Sequence, residues 1–171
     1  MGTRHVVVMG VSGSGKTTVA TGIAAATGFA FAEADEFHPA ANVAKMAAGQ
    51  PLTDEDRWPW LAELARWMTE RAEAGESTVM ACSALRRSYR DVLRSGPPSV
   101  DFVLVDGSAE VIRERMAARE GHYMPVSLLD SQIATLEPLQ ADESGVVLDV
   151  ALTPGELVRQ AVAWLGGPPT A

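Results

Sequence analysis

Residues 10–20 read GVSGSGKTTVA and follow directly on the apolar run Val6-Val7-Val8-Met9. Gly10, Gly13 and Gly15 carry no Cβ and tolerate positive φ, so the backbone N–H groups of Val11, Ser12, Gly13 and Ser14 can turn inward around an anion. A helix starting near Lys16 would aim its unsatisfied N–H groups and positive dipole end at the same point. In that frame Lys16 reaches the β and γ phosphates, the Thr17 hydroxyl can ligate Mg²⁺, and Thr18 follows in the first turn. The chemistry is that of a cradle for a magnesium nucleoside triphosphate.

A second group of polar residues is Glu33-Ala34-Asp35-Glu36-Phe37-His38-Pro39. Two carboxylates two residues apart can divide labour, one holding Mg²⁺ through water and the other accepting a proton from an attacking hydroxyl. Glu33 is assigned to the metal and Asp35 to the hydroxyl. An acidic turn that caps the helix after Pro39 is the structural alternative. Lysine is rare: of 14 Lys and Arg residues only Lys16 and Lys45 are lysine. Lys16 as a compact point charge suits phosphates, and Lys45 is either a second such contact or a solvated surface residue.

These residues need a scaffold that brings loop ends together. Expected strands cover 4–9, 28–32, 77–82, 101–105 and 145–150, with helical patterns between most of them. Apolar strands such as Thr78-Val79-Met80-Ala81-Cys82 lack strict alternation, as expected where helices cover both faces of a parallel sheet. The fold class is therefore α/β, with ligands outside the carboxyl ends of the strands. Leu61, Leu64, Ala65 and Met68 recur at helical spacing and read as core. Pro59 fits a helix start, which places Arg57 at or before the first turn, near the ligand edge. Trp58, Trp60 and Trp67 are expected to pack rather than to form a sugar platform.

Composition narrows the partners. The chain has 171 residues, 47% of them hydrophobic, and no run of about 18 apolar residues, which fits one domain with a real core and no membrane span. A net charge of −8 leaves no broad basic footprint for nucleic acid. The single cysteine, Cys82, and the lack of an export-type N-terminal pattern point to a cytoplasmic setting. Residues 1–166 are read as one domain built around the phosphate loop and 167–171 as a loose tail.

Three further blocks, HP at 38–39, PLTDEDRWPWL at 51–61 and CSALRRSYRD at 82–91, together with the phosphate loop, make the chain similar to the gluconokinase family. These are small P-loop kinases of the nucleoside-monophosphate-kinase-like group, and the resemblance spans nearly the whole chain. It implies a three-layer P-loop NTPase fold with a central parallel sheet of about five strands, a small mobile lid over roughly 119–128, and commonly a homodimer. It also implies transfer of the γ-phosphoryl group of ATP, with Mg²⁺, to the 6-hydroxyl of D-gluconate. Family members often carry Asp at the first carboxylate, where this chain has Glu33. The segment VIRERMAAREGHYMP at 111–125 resembles the lid, so that Arg115 lies against adenine while Arg119, with His122 near it, closes over the phosphates.

Gluconate would need a proton acceptor, hydroxyl partners and a cation for its carboxylate. Asp35 serves as the base, and Ser83 and Asp56 could meet hydroxyls. Arg57 is the first choice for the carboxylate because its fork matches that geometry, with Arg90, Lys45 and His38 as the other candidates. Two alternatives share the cradle. A shikimate- or nucleotide-type kinase uses the same scaffold, although the former would show a Gly-Gly-Gly turn where this chain has Cys82-Ser83-Ala84-Leu85. A nucleotide-dependent switch would lack the combination of Asp35 and Arg57.

Overall fold

A computed structural model describes residues 2–117 and 126–166. Five strands, β1 (His5–Met9), β2 (Ala30–Glu33), β3 (Thr78–Ala81), β4 (Asp101–Asp106) and β5 (Gly145–Asp149), form one parallel sheet in the order β2-β3-β1-β4-β5. The helices are α1 (Lys16–Thr27), α2 (Ala40–Ala47), α3 (Asp54–Glu73), α4 (Arg87–Arg94), α5 (Ala109–Ala117), α6 (Val126–Thr135) and α7 (Pro154–Trp164). The three-layer α/β fold and its parallel sheet are as the sequence predicts.

Strand β1 shows how the apolar run is used. Its side chains alternate between faces, and both faces are dry. Val6 and Val8 join Val19 and Ile23 of α1 and Leu157 and Ala161 of α7 in one core. Val7 and Met9 join Leu61, Leu64 and Met68 of α3 and Leu93 of α4 in the other. All four of these residues are fully buried, so each is apolar and no alternation is visible among them; His5, at the start of β1, is buried as well, with its Nδ1 2.7 Å from the Thr78 hydroxyl.

Register aligns the carboxyl ends. Val8 pairs with Ala81 of β3 and with Val103 of β4, and Glu33 pairs with Ala81. The loops after β1, β2 and β3 therefore open on one edge. The chain leaves β1 for β2 on one side and later reaches β4 on the other, so the crevice at β1 is the topological switch point where such sheets bind ligands.

Two boundaries differ from expectation. β2 starts at Ala30 rather than at 28, because Gly28 is consumed as the left-handed cap of α1, with φ 80° and its N–H on the Ala24 carbonyl at 2.8 Å. Pro59 lies inside α3 rather than at its start, which is fixed instead by a capping box: the Thr53 hydroxyl accepts from Asp56 N, and the Asp56 carboxylate accepts from Thr53 N. Pro59 removes one helical bond, to the carbonyl of Glu55, and both residues are exposed, so water can take its place. Arg57 still falls in the first turn. Among the described residues no helix is long and apolar enough to cross a membrane.

Candidate active site

The loop between β1 and α1 is shaped for an anion. Gly15 sits at the N-terminus of α1 with φ 91°, and no side chain caps the helix or puts a negative charge in its first turn among the described residues. The first N–H groups of α1 are thus not capped by a side chain. Gly10 is required by space: a Cβ there would lie 2.7 Å from Ser14 Oγ and 2.8 Å from the Val105 carbonyl. Ser14 is buried, and its Oγ has no hydrogen-bond partner among the described residues. A buried hydroxyl of that kind costs free energy unless a ligand satisfies it. Val11 is buried beneath the loop, whereas Thr18 is exposed on α1.

Glu33 stands beside the loop. The Thr17 hydroxyl donates to Glu33 Oε2 at 2.7 Å, joining the start of α1 to the end of β2. Oxygen donors of this type suit a hard divalent cation. Among the described residues no cluster of three or more His, Cys, Asp or Glu side chains could hold an ion alone, so phosphate oxygens would have to complete the coordination. Asp35 is exposed in a 3-10 turn at Ala34–Phe37. Burial pushes the Cys82 thiol at the end of β3 up to about 12, and the charges of Asp35, Lys16 and Glu33 all act on it. Those three charged groups therefore converge on the same edge of the sheet.

Next to the loop lies a cavity of about 550 Å³ between the start of α3, the loop after β3, and α6. Arg57, Trp60, Ser83, Arg86, Tyr89 and Gln132 are among its walls. Arg57 donates Nη1 to the Leu52 carbonyl at 2.8 Å and lies over the Tyr89 ring at 5.5 Å. Arg86 lies 6.0 Å from the centre of that ring and donates to Asp54 Oδ2 at 3.4 Å. The Tyr89 hydroxyl donates to Asp54 Oδ1 at 2.5 Å, and Arg57 Nη1 is 3.9 Å from the same oxygen. Asp54 thus accepts hydrogen bonds from the Tyr89 phenol and the Arg86 guanidinium and is ion-paired with Arg57 on the cavity wall.

Gly10 N donates to the Ser83 carbonyl at 3.4 Å, which ties the phosphate loop to the turn that carries Ser83. In that turn Ala84 is left-handed at φ 45°, a conformation that costs an alanine free energy and marks functional loops. Gln132 makes the other link: its Oε1 accepts from Ser12 N at 2.7 Å.

Of the four cations proposed for a substrate carboxylate, Arg57 lines the cavity and the other three do not. Arg90 requires correction. It is fully buried, donates to both oxygens of Glu143 at 2.7 and 3.1 Å, and donates to the carbonyls of Ala84 and Pro138. Its fork is spent on holding the Ala84 turn. Lys45 pairs with Asp56 at 2.7 Å, an interaction that with the Thr53 contacts takes the Asp56 carboxyl down to about 2. Asp56 is accordingly a helix-capping residue here.

His38 stacks on Trp60 at 4.2 Å, with the Asn42 amide 3.2 Å from its Nδ1. Burial lowers its pKa, Arg57 adds to that effect, and Asp35 opposes it. Trp60 is itself a packing residue, buried with its indole N–H on the Ala34 carbonyl. Trp67 packs edge-on against Phe37, and Trp58 against Tyr89.

Arg115 donates to the Leu152 carbonyl at 3.0 Å, linking α5 to the loop after β5. Arg119, His122 and most of the expected lid lie outside the described residues, as does the tail at 167–171; positions 126–128 of the lid form the first turn of α6. Asp54, Arg86, Tyr89 and Gln132 were not foreseen as site residues. The first three stand inside the family-like blocks 51–61 and 82–91, which was the available signal. Gln132 carries none.

Residues 6–139 match the family described as AAA domain. A gluconokinase from Gluconobacter oxydans is 55% identical over 140 residues, spanning 82% of this chain and 79% of that protein. The crystal structure of a sugar kinase from a Janibacter species superposes with a TM-score of 0.92 at 65% identity, covering 98% of this chain and 96% of the other. A gluconokinase structure from Sinorhizobium meliloti gives 0.86 at 49% identity, over 95% and 91% of the two chains.

Proposed function

The chain belongs to the gluconokinase family, and we infer that its phosphate loop and cavity together transfer the γ-phosphoryl group of ATP to the 6-hydroxyl of D-gluconate, giving 6-phospho-D-gluconate and ADP. One observation carries the reading. The cavity that holds Arg57 shares a wall with the phosphate loop through the Ser12–Gln132 hydrogen bond, so an acceptor in the cavity abuts the phosphates. A shikimate- or nucleotide-type acceptor is not favoured, because the relatives at high identity are gluconokinases.

Each residue has a stated part. The N–H groups of Ser12, Gly13 and Gly15 and of the first turn of α1, with the Lys16 ammonium, bind the phosphates, and charge that develops on the transferring group is stabilised there. Arg57 receives the gluconate carboxylate, with the Ser83 hydroxyl at hand for the polyol. Asp35 accepts the proton of the 6-hydroxyl as that oxygen bonds to the γ phosphorus and the bond to the bridging oxygen of ADP breaks. Thr17 and Glu33 would hold Mg²⁺, which when bound neutralises phosphate charge. Arg115 contacts the adenine, and the lid at 119–128, with Arg119, excludes water from the transfer.

A homodimer and the absence of a membrane partner belong to the same reading through the family resemblance; the net charge of −8 supports the absence of a nucleic-acid partner, and the single cysteine supports a cytoplasmic location. The test is to run the reaction with ATP, Mg²⁺ and ¹³C-labelled gluconate and to read the phosphorus coupling at carbon. Coupling at C6 supports the reading. Coupling at another carbon, or no phosphoester, contradicts it.

A further inference from the structure

Gln132 sits within α6, half-buried, and faces two sites at once. It lines the cavity beside Ser131 and Thr135 of its own helix. Its Oε1 also accepts the Ser12 N–H at 2.7 Å, and Ser12 lies in the loop whose N–H groups are to face phosphate oxygens. A backbone N–H carries one proton. A phosphate oxygen arriving there and the Gln132 carbonyl therefore compete for a single donor. The phosphate prevails, because hydrogen bonds to ionised acceptors are roughly twice as strong as neutral ones.

We propose that Gln132 is a positioning residue that makes acceptor binding depend on nucleotide binding. Without nucleotide its carboxamide is tethered to the phosphate loop. With nucleotide the phosphates displace it into the cavity, where one C=O and two N–H groups become available to the polyol hydroxyls. The two substrates then bind with positive coupling, and the coupling is reciprocal. The acceptor half of this inference rests on the gluconate reading above; the tether itself does not.

The test measures dissociation constants by calorimetry for gluconate and for a non-hydrolysable ATP analogue, each alone and in the presence of the other. In the parent protein the analogue is expected to tighten gluconate binding by at least about 5-fold. Gln132→Met keeps the length of the side chain and removes the carboxamide. Its coupling should collapse to within about 2-fold, while the analogue alone binds as tightly as to the parent or more so, since the competitor for Ser12 N–H is gone. Gln132→Glu places a charged acceptor on the same N–H and repels phosphate, so analogue affinity should fall at least about 5-fold.

Unchanged or tighter analogue binding in Gln132→Met together with weaker binding in Gln132→Glu identifies a tether. A side chain that only supports the fold would weaken analogue binding in both variants, and that result overturns the proposal. Coupling that persists in Gln132→Met, or a parent with no coupling, overturns it as well. The analogue-only arm needs no acceptor. A parent that binds the analogue and not gluconate therefore sinks the function and the coupling with it, while the analogue affinities of the two variants still decide the tether.

Discussion

The hydroxyl of Thr17 donates to the carboxylate of Glu33 at 2.7 Å, joining the first turn of α1 to the last residue of β2. That contact puts two oxygen donors at one point beside the phosphate loop, where a divalent cation bound to phosphates would need them. Glu33→Gln keeps the hydrogen bond and removes the charge. It should raise the Mg²⁺ concentration for half-maximal turnover by about 10-fold, with nucleotide affinity in the absence of metal little changed. Turnover against Mg²⁺ at fixed ATP checks this; an unaltered curve would show that Glu33 has no part in the metal site.

Asp35→Asn preserves size and removes the proton acceptor. Turnover is expected to fall by roughly 10² to 10⁴ with ATP binding nearly constant. Single-turnover rates and nucleotide dissociation constants separate the two effects. Equal loss of ATP binding would make Asp35 a metal or structural residue and shift the base role to Glu33.

Arg57→Met keeps the aliphatic bulk and deletes the fork. Glucitol has the hydroxyls of gluconate and CH₂OH in place of its carboxylate, so the parent should favour gluconate by at least ~10²-fold in kcat/KM. In the variant that ratio should narrow toward unity because gluconate alone loses efficiency. Loss of both substrates in equal proportion would assign Arg57 to packing. Arg86, which shares the Asp54 anchor and the Tyr89 ring with Arg57, would then be the next cation to replace.

Much of the fold could be read from the chain because its cues are local. The apolar run before GVSGSGKTTVA and the helical spacing of Leu61, Leu64, Ala65 and Met68 depend on neighbours in sequence, and each stands in the structure as expected. Local cues misled where two rules met at one residue. Gly28 serves the helix before it and not the strand after it, and Pro59 is tolerated inside α3 because the capping box had already set the start.

Arg90 and Gln132 could not be placed from spacing at all. Arg90 finds its counter-ion 53 residues later in Glu143, and Gln132 meets Ser12 across 120 residues. Only the folded sheet edge brings such pairs together. Asp54 was hidden differently: in the sequence it is one more acid in a helix start, and its role appears once Tyr89 donates to it.

The Arg90–Glu143 pair carries a pH signature. Burial would raise the Glu143 carboxyl, but hydrogen bonds from Arg90, Gln140 N and Arg94 take it down to about 2 from an ordinary 4.5. A carboxylate depressed in the folded state contributes stability that is complete above about 4.5 and is lost as pH falls from there toward 2. Glu143→Gln should lower stability near pH 7 by about 3 kcal/mol or more, since Arg90 stays buried without its counter-ion. It should also flatten the acid dependence in that window. Thermal unfolding from pH 7 to pH 3 tests both, and an unchanged slope would show that another group governs acid stability.

Phosphorylation of gluconate by ATP is decided by ADP release with ATP and Mg²⁺ against a panel of gluconate, shikimate, AMP and glucitol. Gluconate should drive ADP release at least ~10²-fold more efficiently than the other three, and Lys16→Ala should abolish nearly all of it while remaining folded. ADP release driven best by shikimate or AMP, or equal with and without any acceptor, would mean that gluconate is not the substrate.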